Sequence, residues 1–433
     1  MHILILGSGA REHALACKLR QSSLVKQIFV GPGNGGTQGH FTNLKIDLTD
    51  FEAVAEAVVH HDIKLVIVGP EQPLVNGITD FLENHPSPAV SSTPVVGPNQ
   101  ACAQLEGSKE FSKQIMEEAG IPTAKAVCFG SADWERCRHY IENHALPVVI
   151  KADGLASGKG VAVCHSHTEA LQFASRILQE EAFGAHNASL LVEDFLQGIE
   201  VSMFLLSDGV HYQLLPEAKD YKRIYDGDLG PNTGGMGAVS PVPFVDADFV
   251  SKVEERIIKP LFKTLLSRQL YYKGFLFIGL MNDDGEPYVV EFNTRLGDPE
   301  TETILQRMEG DLVPALLSLR SQTLNLHPIA IAENAAATVV VCAENYPETP
   351  ATGDLLQLPL GSINEVQFFH AGTIYQHQTL KTSGGRVVAC TAVAENLAMA
   401  LEKVYQGVQQ VSFRGMQFRK DIGQDILAWQ ARL

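Results

Sequence analysis

"VVEFNTRLGDPETE" runs from Val289 to Glu302. It opens like a buried β-strand and then presents Glu291, Asn293 and Arg295 at every second position. Side chains two apart on a strand share a face. That face therefore carries a carboxylate, an amide and a guanidinium, and Asp298, Glu300 and Glu302 follow at once. A solvated strand end explains the pattern poorly, because interior strands seldom gather three polar groups on one face without partners. Mg²⁺ takes oxygen ligands, usually one or two from protein plus the phosphates of its nucleotide. Glu291 and Asn293 are spaced to share such ions, and Arg295 is placed to offset charge on a transferring phosphoryl group.

Working outward, the first hundred residues alternate apolar runs with helical stretches. "HILILG", "KQIFVG", "KLVIVG" and "TPVVGP" read as parallel strands, with helices near Arg11–Arg20, Phe51–His60 and Pro73–Glu83. The pattern predicts an open α/β sheet. Its strand ends carry "GSGAREH" (Gly7–His13), "GPGNGG" (Gly31–Gly36) and "GPEQPLVNG" (Gly69–Gly77). The first resembles the dinucleotide fingerprint but has Glu12 where the third glycine belongs. Alone it reads equally as a phosphate seat or a structural turn; three such ends together favour a binding crevice. Asn99–Ala119 is expected as one amphipathic helix.

From about 124 to 190 a compact unit of strands and helices is expected. It contains "VVIKADGLASGKGVAV" (Val148–Val163), a loop with three glycines and two lysines, Lys151 and Lys159. Glycines let backbone N–H groups approach phosphate oxygens, although a hairpin with exposed lysines gives the same pattern. "LLVEDFLQGIEVSMFLL" (Leu190–Leu206) reads by itself as a strand pair with a solvated turn. "GFLFIGLM" is a further strand, and a long helix is expected over Phe249–Arg268. "KDYKR" (Lys219–Arg223) reads as an exposed face, and "DLGPNTGGMGAVSP" (Asp228–Pro241) as too polar and Gly-rich for a regular element. From about His327 a separate α+β module is predicted, with strands "AATVVVC", "VQFFHAGT" and "GRVVACTA" and a helix over Ala394–Gln409.

The 433 residues are too many for one core, so two to four domains are expected. A net charge of −17 opposes general nucleic-acid binding. The seven cysteines are scattered without a CxxC pair, which reads as reduced thiols in a cytoplasmic protein. The run from Met1 directly into a strand predicts no leader, and no apolar run is long enough for a membrane span.

Taken in order, these stretches resemble the ATP-grasp ligases and, within them, the glycinamide ribonucleotide synthetase family. "GSGAREHAL", "GPEQPLVNGI", "EGSKEFSKQIM", "KADGLASGKGV", "GPNTGGMGAVSP", "EFNTRLGDPETE", "FHAGT", "TSGGRVVACTA" and "FRKDIG" carry the likeness nearly end to end. The resemblance implies three domains: an open parallel α/β domain over 1–100, an ATP-grasp domain over 101–326 with a mobile lid at about 124–190, and a small α+β domain over 327–433. It implies ATP-dependent ligation of glycine to 5-phosphoribosylamine through a glycyl phosphate, with Mg²⁺ or Mn²⁺, in purine biosynthesis, by a monomer or weak homodimer. It gives ATP to Lys109, Lys151, Gly158, Lys159, Gly160, Glu193, Leu196 and Glu200, and the metal to Glu291 and Asn293. Arg295, Lys151 and Asp298 take catalytic roles. Substrate falls to Gly9, Arg11, Glu12, Gly33, Asn34, Glu71, Asp220, Lys222, Asn232, Gly297, Asp298, Pro299 and Glu300. Three departures stand out: Tyr221 replaces a frequent His, "CAENYP" (Cys342–Pro347) replaces a Gly-richer turn with no expected effect on chemistry, and "FLFIGLMN" offers no second acidic ligand. Another ATP-grasp carboxylate–amine ligase or carboxylase, or an inactive nucleotide-binding protein, are the alternatives.

Overall fold

The computed structural model of the protein describes residues 1–155, 160–180, 189–359 and 365–432. His2–Gly7, Gln27–Pro32, Ile63–Val68 and Val95–Val96 form a parallel sheet, joined by the short edge strand Thr42–Asn43, which sequence reading missed. Both faces are covered. Leu4, Leu6, Val66 and Val68 pack into one core, whereas Ile3, Ile5, Leu65 and Ile67 belong to another. This split follows the two-residue side-chain period and explains the unbroken apolar runs.

A second sheet of eight strands runs in the order 286–293, 273–283, 199–208, 212–220, 237–240, 335–342, 386–394, 366–370, antiparallel throughout. Along Ile199–Asp208 the period is visible again. Val201, Met203 and Leu205 face a core with the helices at 247–267 and 397–408, while Phe204 and Leu206 face the core shared with the parallel sheet. The strands beyond 327 belong to the C-terminal α+β module and also continue this sheet. The join is Gly237–Ser240, buried throughout, which pairs with both Lys219–Asp220 and Ala336–Val339. It corrects the reading of 228–241 as wholly irregular. Small residues allow the insertion: a Cβ on Gly237 would stand 2.6 Å from the Thr338 carbonyl oxygen.

Ala126–Gly130, Ser189–Asp194, Val148–Ala152 and Val161–Cys164 form a four-stranded antiparallel sheet. Helices Trp134–Glu142 and His167–Leu178 cover it around their own core of Phe129, Cys137, Ile150, Ala174 and neighbours.

Three expected helices are interrupted, the first being Pro73–Glu83, which divides into Glu71–Val75 and Ile78–Glu83 at Gly77 in the left-handed region (φ +90°). The 249–268 stretch contains a π-turn at Glu254–Ile258 just before Pro260, whose missing N–H cannot join the regular ladder. Asn99–Ala119 divides into Gln100–Gly107 and Lys109–Ala119 at Ser108, which is extended (φ −136°, ψ 117°). The Ser108 hydroxyl accepts from the Phe111 N–H, and Asp153 accepts the Lys109 N–H at 2.5 Å. The new helix start therefore faces the 148–152 strand. No described helix is long and apolar enough to cross a membrane.

Ser108→Ala removes this cap and is expected to cost about 1 kcal/mol of stability, read as a lower urea midpoint. An unchanged midpoint would show that Asp153 alone terminates the break.

Candidate active site

Glu291 and Asn293 close the Glu286–Asn293 strand, and the Asn293 amide donates to Glu291 Oε1 at 3.4 Å. Arg295 lies beyond the strand end. Its Nη2 donates to Glu106 Oε1 at 2.8 Å and Asn293 Oδ1 at 3.3 Å, while Glu71 approaches its Nε at 3.7 Å. Glu106 also accepts the Thr294 N–H at 2.7 Å. Arg295 is thus aimed by a buried carboxylate that sequence reading missed, because the pair spans 189 positions.

Lysines from three segments surround Glu291. Burial alone would raise its pKa, but Lys222, Lys151, the Asn293 hydrogen bond and Lys109 together hold it below the usual carboxylate range. Lys109 Nζ donates to the Gly154 carbonyl at 2.9 Å, and burial lowers its pKa despite Glu291 and Asp153. Lys151 Nζ pairs with Glu193 Oε2 at 2.8 Å and donates to the Val290 carbonyl at 3.1 Å. Lys113, one helical turn after Lys109, reaches the other oxygen of Glu193 at 3.4 Å. Lys222 Nζ pairs with Glu200 at 2.5 Å. Its burial would lower its pKa, but Asp220, Glu200 and Glu291 raise it well above the ordinary value. Leu196 is half-buried in the connection before Ile199.

Asp220 and Lys222 share the side facing Glu291. Tyr221 points the other way, into the C-terminal segment, donating to Asp425 at 2.5 Å and accepting the Gly423 N–H at 2.9 Å. "KDYKR" is therefore not an exposed face, and Tyr221 has no place among these charges. Asn232 ends the Leu229–Asn232 strand opposite Arg223.

The N-terminal crevice approaches from the other side. Glu12, 1% exposed, accepts the Gly9 N–H and the Arg11 Nε–H, both at 2.6 Å. Arg11 donates to the Leu296 carbonyl at 3.0 Å, and its N–H approaches Asp298 Oδ2 at 3.4 Å. Asn34, next to Gly33, is saturated: its amide donates to the carbonyls of Ser8 and His370, and its oxygen accepts from Gly36 and Thr37. Glu12 and Asn34 therefore shape the crevice with polar groups already engaged.

Gly297, Asp298, Pro299 and Glu300 form the bend that joins both halves. Gly235, in the left-handed region (φ +119°), packs against it, and a Cβ there would stand 2.5 Å from Pro299 Cδ. Asp298 Oδ1 pairs at 3.1 Å with Arg386, which lies in "TSGGRVV" and has no role assignable from the sequence. Glu302 is fully buried, and among the described residues neither carboxylate oxygen has a hydrogen-bond partner. Gly160 accepts the Ala152 N–H at 2.7 Å, whereas Gly158 and Lys159 lie outside the described residues.

Among the described residues no group of three or more His, Cys, Asp or Glu is arranged to hold a metal. Glu291 and Asn293 nevertheless suit a divalent cation that arrives on a polyphosphate. They give two oxygen donors, while Lys109, Lys151 and Lys222 would repel a bare ion and attract its phosphates.

Family models match the whole arrangement: the N domain of phosphoribosylglycinamide synthetase over residues 1–106, its ATP-grasp (A) domain over 107–301, and its C domain over 336–425. A phosphoribosylamine–glycine ligase of Chlorobaculum tepidum is 43% identical over 98% of this chain and 99% of its own. The crystal structure of a phosphoribosylamine–glycine ligase from Thermotoga maritima superposes with a TM-score of 0.84 at 33% identity, covering 97% of this chain and 100% of that one. A biotin carboxylase from Campylobacter jejuni, at TM-score 0.70, 14% identity and coverage of 96% and 92%, shares the fold alone.

Burial, then Asp220, raise the Glu300 pKa to about 8, with Arg295 and Lys222 offsetting only part. A carboxyl with a raised folded pKa binds its proton more tightly when folded. Its contribution is present below the unfolded value and is lost as pH rises through about 8. Glu300→Gln, which cannot titrate, is expected to gain in urea midpoint over the parent between about pH 5 and about pH 9. Parallel pH profiles would contradict this burial of a titrating group.

Proposed function

Because the chain belongs to the phosphoribosylglycinamide synthetase family, we propose that it is an ATP-dependent ligase joining glycine to 5-phosphoribosylamine in purine biosynthesis. The observation that carries this reading is the lysine-ringed Glu291–Asn293 pair beside the Gly297–Glu300 bend, on a chain matched nearly end to end by such ligases.

A glycine carboxylate oxygen attacks the γ-phosphorus of ATP, the bond to the β-bridging oxygen breaks, and ADP leaves with that electron pair. The ribosylamine nitrogen then adds to the glycyl carbonyl, the acyl–oxygen bond breaks, and phosphate departs with the proton from the amine. Neither step needs strong acid–base chemistry. Alignment, charge neutralisation and exclusion of water are required, since an acyl phosphate hydrolyses readily.

Lys109 and Lys151 hold the ATP phosphates, and Gly158, Lys159 and Gly160 are assigned to the same phosphates by the resemblance. Glu193 and Leu196 border the adenine, and Glu200 takes the ribose. A Mg²⁺ or Mn²⁺ ion held by Glu291 and Asn293 would neutralise phosphate charge. Arg295, aimed by Glu106, faces the γ-phosphoryl group. Asp220, Lys222, Asn232 and the Gly297–Glu300 bend with Asp298 face the two smaller substrates. The crevice of Gly9, Arg11, Glu12, Gly33, Asn34 and Glu71 receives the phosphoribosyl group. In this reading 1–100, 101–326 and 327–433 act as three domains, with 124–190 as the lid. A reducing, cytoplasmic setting fits the seven free cysteines, and the state proposed from the resemblance is a monomer or weak homodimer.

Turnover with glycine labelled by ¹⁸O in its carboxylate tests the chemistry. One labelled oxygen per turnover is expected in inorganic phosphate, and unlabelled phosphate would remove the glycyl phosphate. Arg295→Ala is expected to lower kcat about 100-fold while ATP KM changes little. An unchanged kcat would take Arg295 out of the mechanism.

A further inference from the structure

We propose that Arg386 and Tyr346 are positioning residues for the amine-acceptor half of this site, acting through the Gly234 peptide and Asp298; the inference rests on the reaction proposed above. Gly234 lies in the 228–241 loop beside Gly235, which packs against the bend. Its N–H donates to Tyr346 Oη at 2.9 Å, and its carbonyl accepts from Arg386 Nη1 at 2.7 Å. Both backbone polar groups of this one residue, which belong to successive peptide groups, are therefore held by residues of the C-terminal segment.

The same Nη1 reaches the Asp298 carbonyl at 2.6 Å and Asp298 Oδ1 at 3.1 Å. One guanidinium nitrogen thus ties the 228–241 loop to the 297–300 bend. A planar, permanently charged group suits this task because it bridges oxygens in a fixed geometry.

Tyr346 sits in "CAENYP", the turn expected to have no effect on chemistry, and the proposal gives it one through Gly234. The preceding Asn345 takes the left-handed conformation (φ 65°), a region Asn tolerates better than most residues. The clasp lies on the crevice side of the site. From the same segment, the carbonyl of Thr373 accepts the Gly35 N–H at 2.9 Å, and that of His370 accepts from Asn34 at 2.7 Å. Lys109, Lys151 and Glu291 have their hydrogen bonds elsewhere. Loss of the clasp should therefore misplace the acceptor and leave the nucleotide in register.

The test compares steady-state kinetics of Tyr346→Phe, Arg386→Met and Arg386→Lys with the parent, using ATP, glycine and 5-phosphoribosylamine. We expect kcat/KM for the ribosylamine to fall about tenfold in Tyr346→Phe and about 100-fold in Arg386→Met, with ATP KM within about twofold and partial recovery in Arg386→Lys. With hydroxylamine in place of the ribosylamine, glycine hydroxamate formation should fall less than the ribosylamine reaction does, because that small acceptor needs less positioning. Unchanged kcat/KM for the ribosylamine would overturn the proposal. So would losses equal for all substrates and matched by a lower Tm, which would make the clasp purely structural. If Arg386→Met fails to fold, Tyr346→Phe, which removes one hydroxyl, gives the same decision. A parent enzyme that does not use the ribosylamine would remove the proposed reaction and the clasp with it, separating that failure from one confined to the variants.

Discussion

A carboxylate placed beside a buried strand end is costly unless cations reach it, and at Glu291 the cations arrive from three separate parts of the chain. Lys109 comes from a helix start, Lys151 from the small antiparallel sheet, and Lys222 from the end of the 212–220 strand. Each is itself held by another acid or carbonyl. The ring therefore requires that all three segments be in register with the 286–293 strand.

The same constraint organises the opposite side. Asp298, Glu300 and Glu302 are placed within a bend where solvent reaches little, and their counter-charges come from Arg386, Arg295 and Lys222. Burial raises the pKa of Glu302 well above the usual carboxylate range, with Asp298 adding to it. Such a cluster concentrates perturbed groups where substrates with an amine and a carboxylate must meet, which is the usual signature of a functional site.

Much of this was legible in the residues. The two-residue alternation at Glu291 and Asn293 survives folding, and the apolar runs of the first hundred residues do form parallel strands. What escaped depended on partners distant in sequence. The break at Ser108 looks like helix interior until Asp153 is brought against the Lys109 N–H, 44 positions away. Gly237–Ser240 has the composition of a loop and becomes a strand because two neighbours supply its hydrogen bonds. Glu106 and Arg386 lie in stretches that carry the family likeness, but their roles exist only through Arg295 and Asp298. The family resemblance supplied the reaction, whereas the residues alone supplied only a strand end suited to a cation.

The proposal on which the rest depends is that Glu291 and Asn293 would hold a divalent cation beside the nucleotide's phosphates. An anomalous difference map from crystals with Mn²⁺, a non-hydrolysable ATP analogue and glycine tests it most directly. The account predicts a peak about 2.2 Å from oxygens of both side chains and of the phosphates. A bound nucleotide with no peak there, and with both side chains turned away from its phosphates, would contradict it.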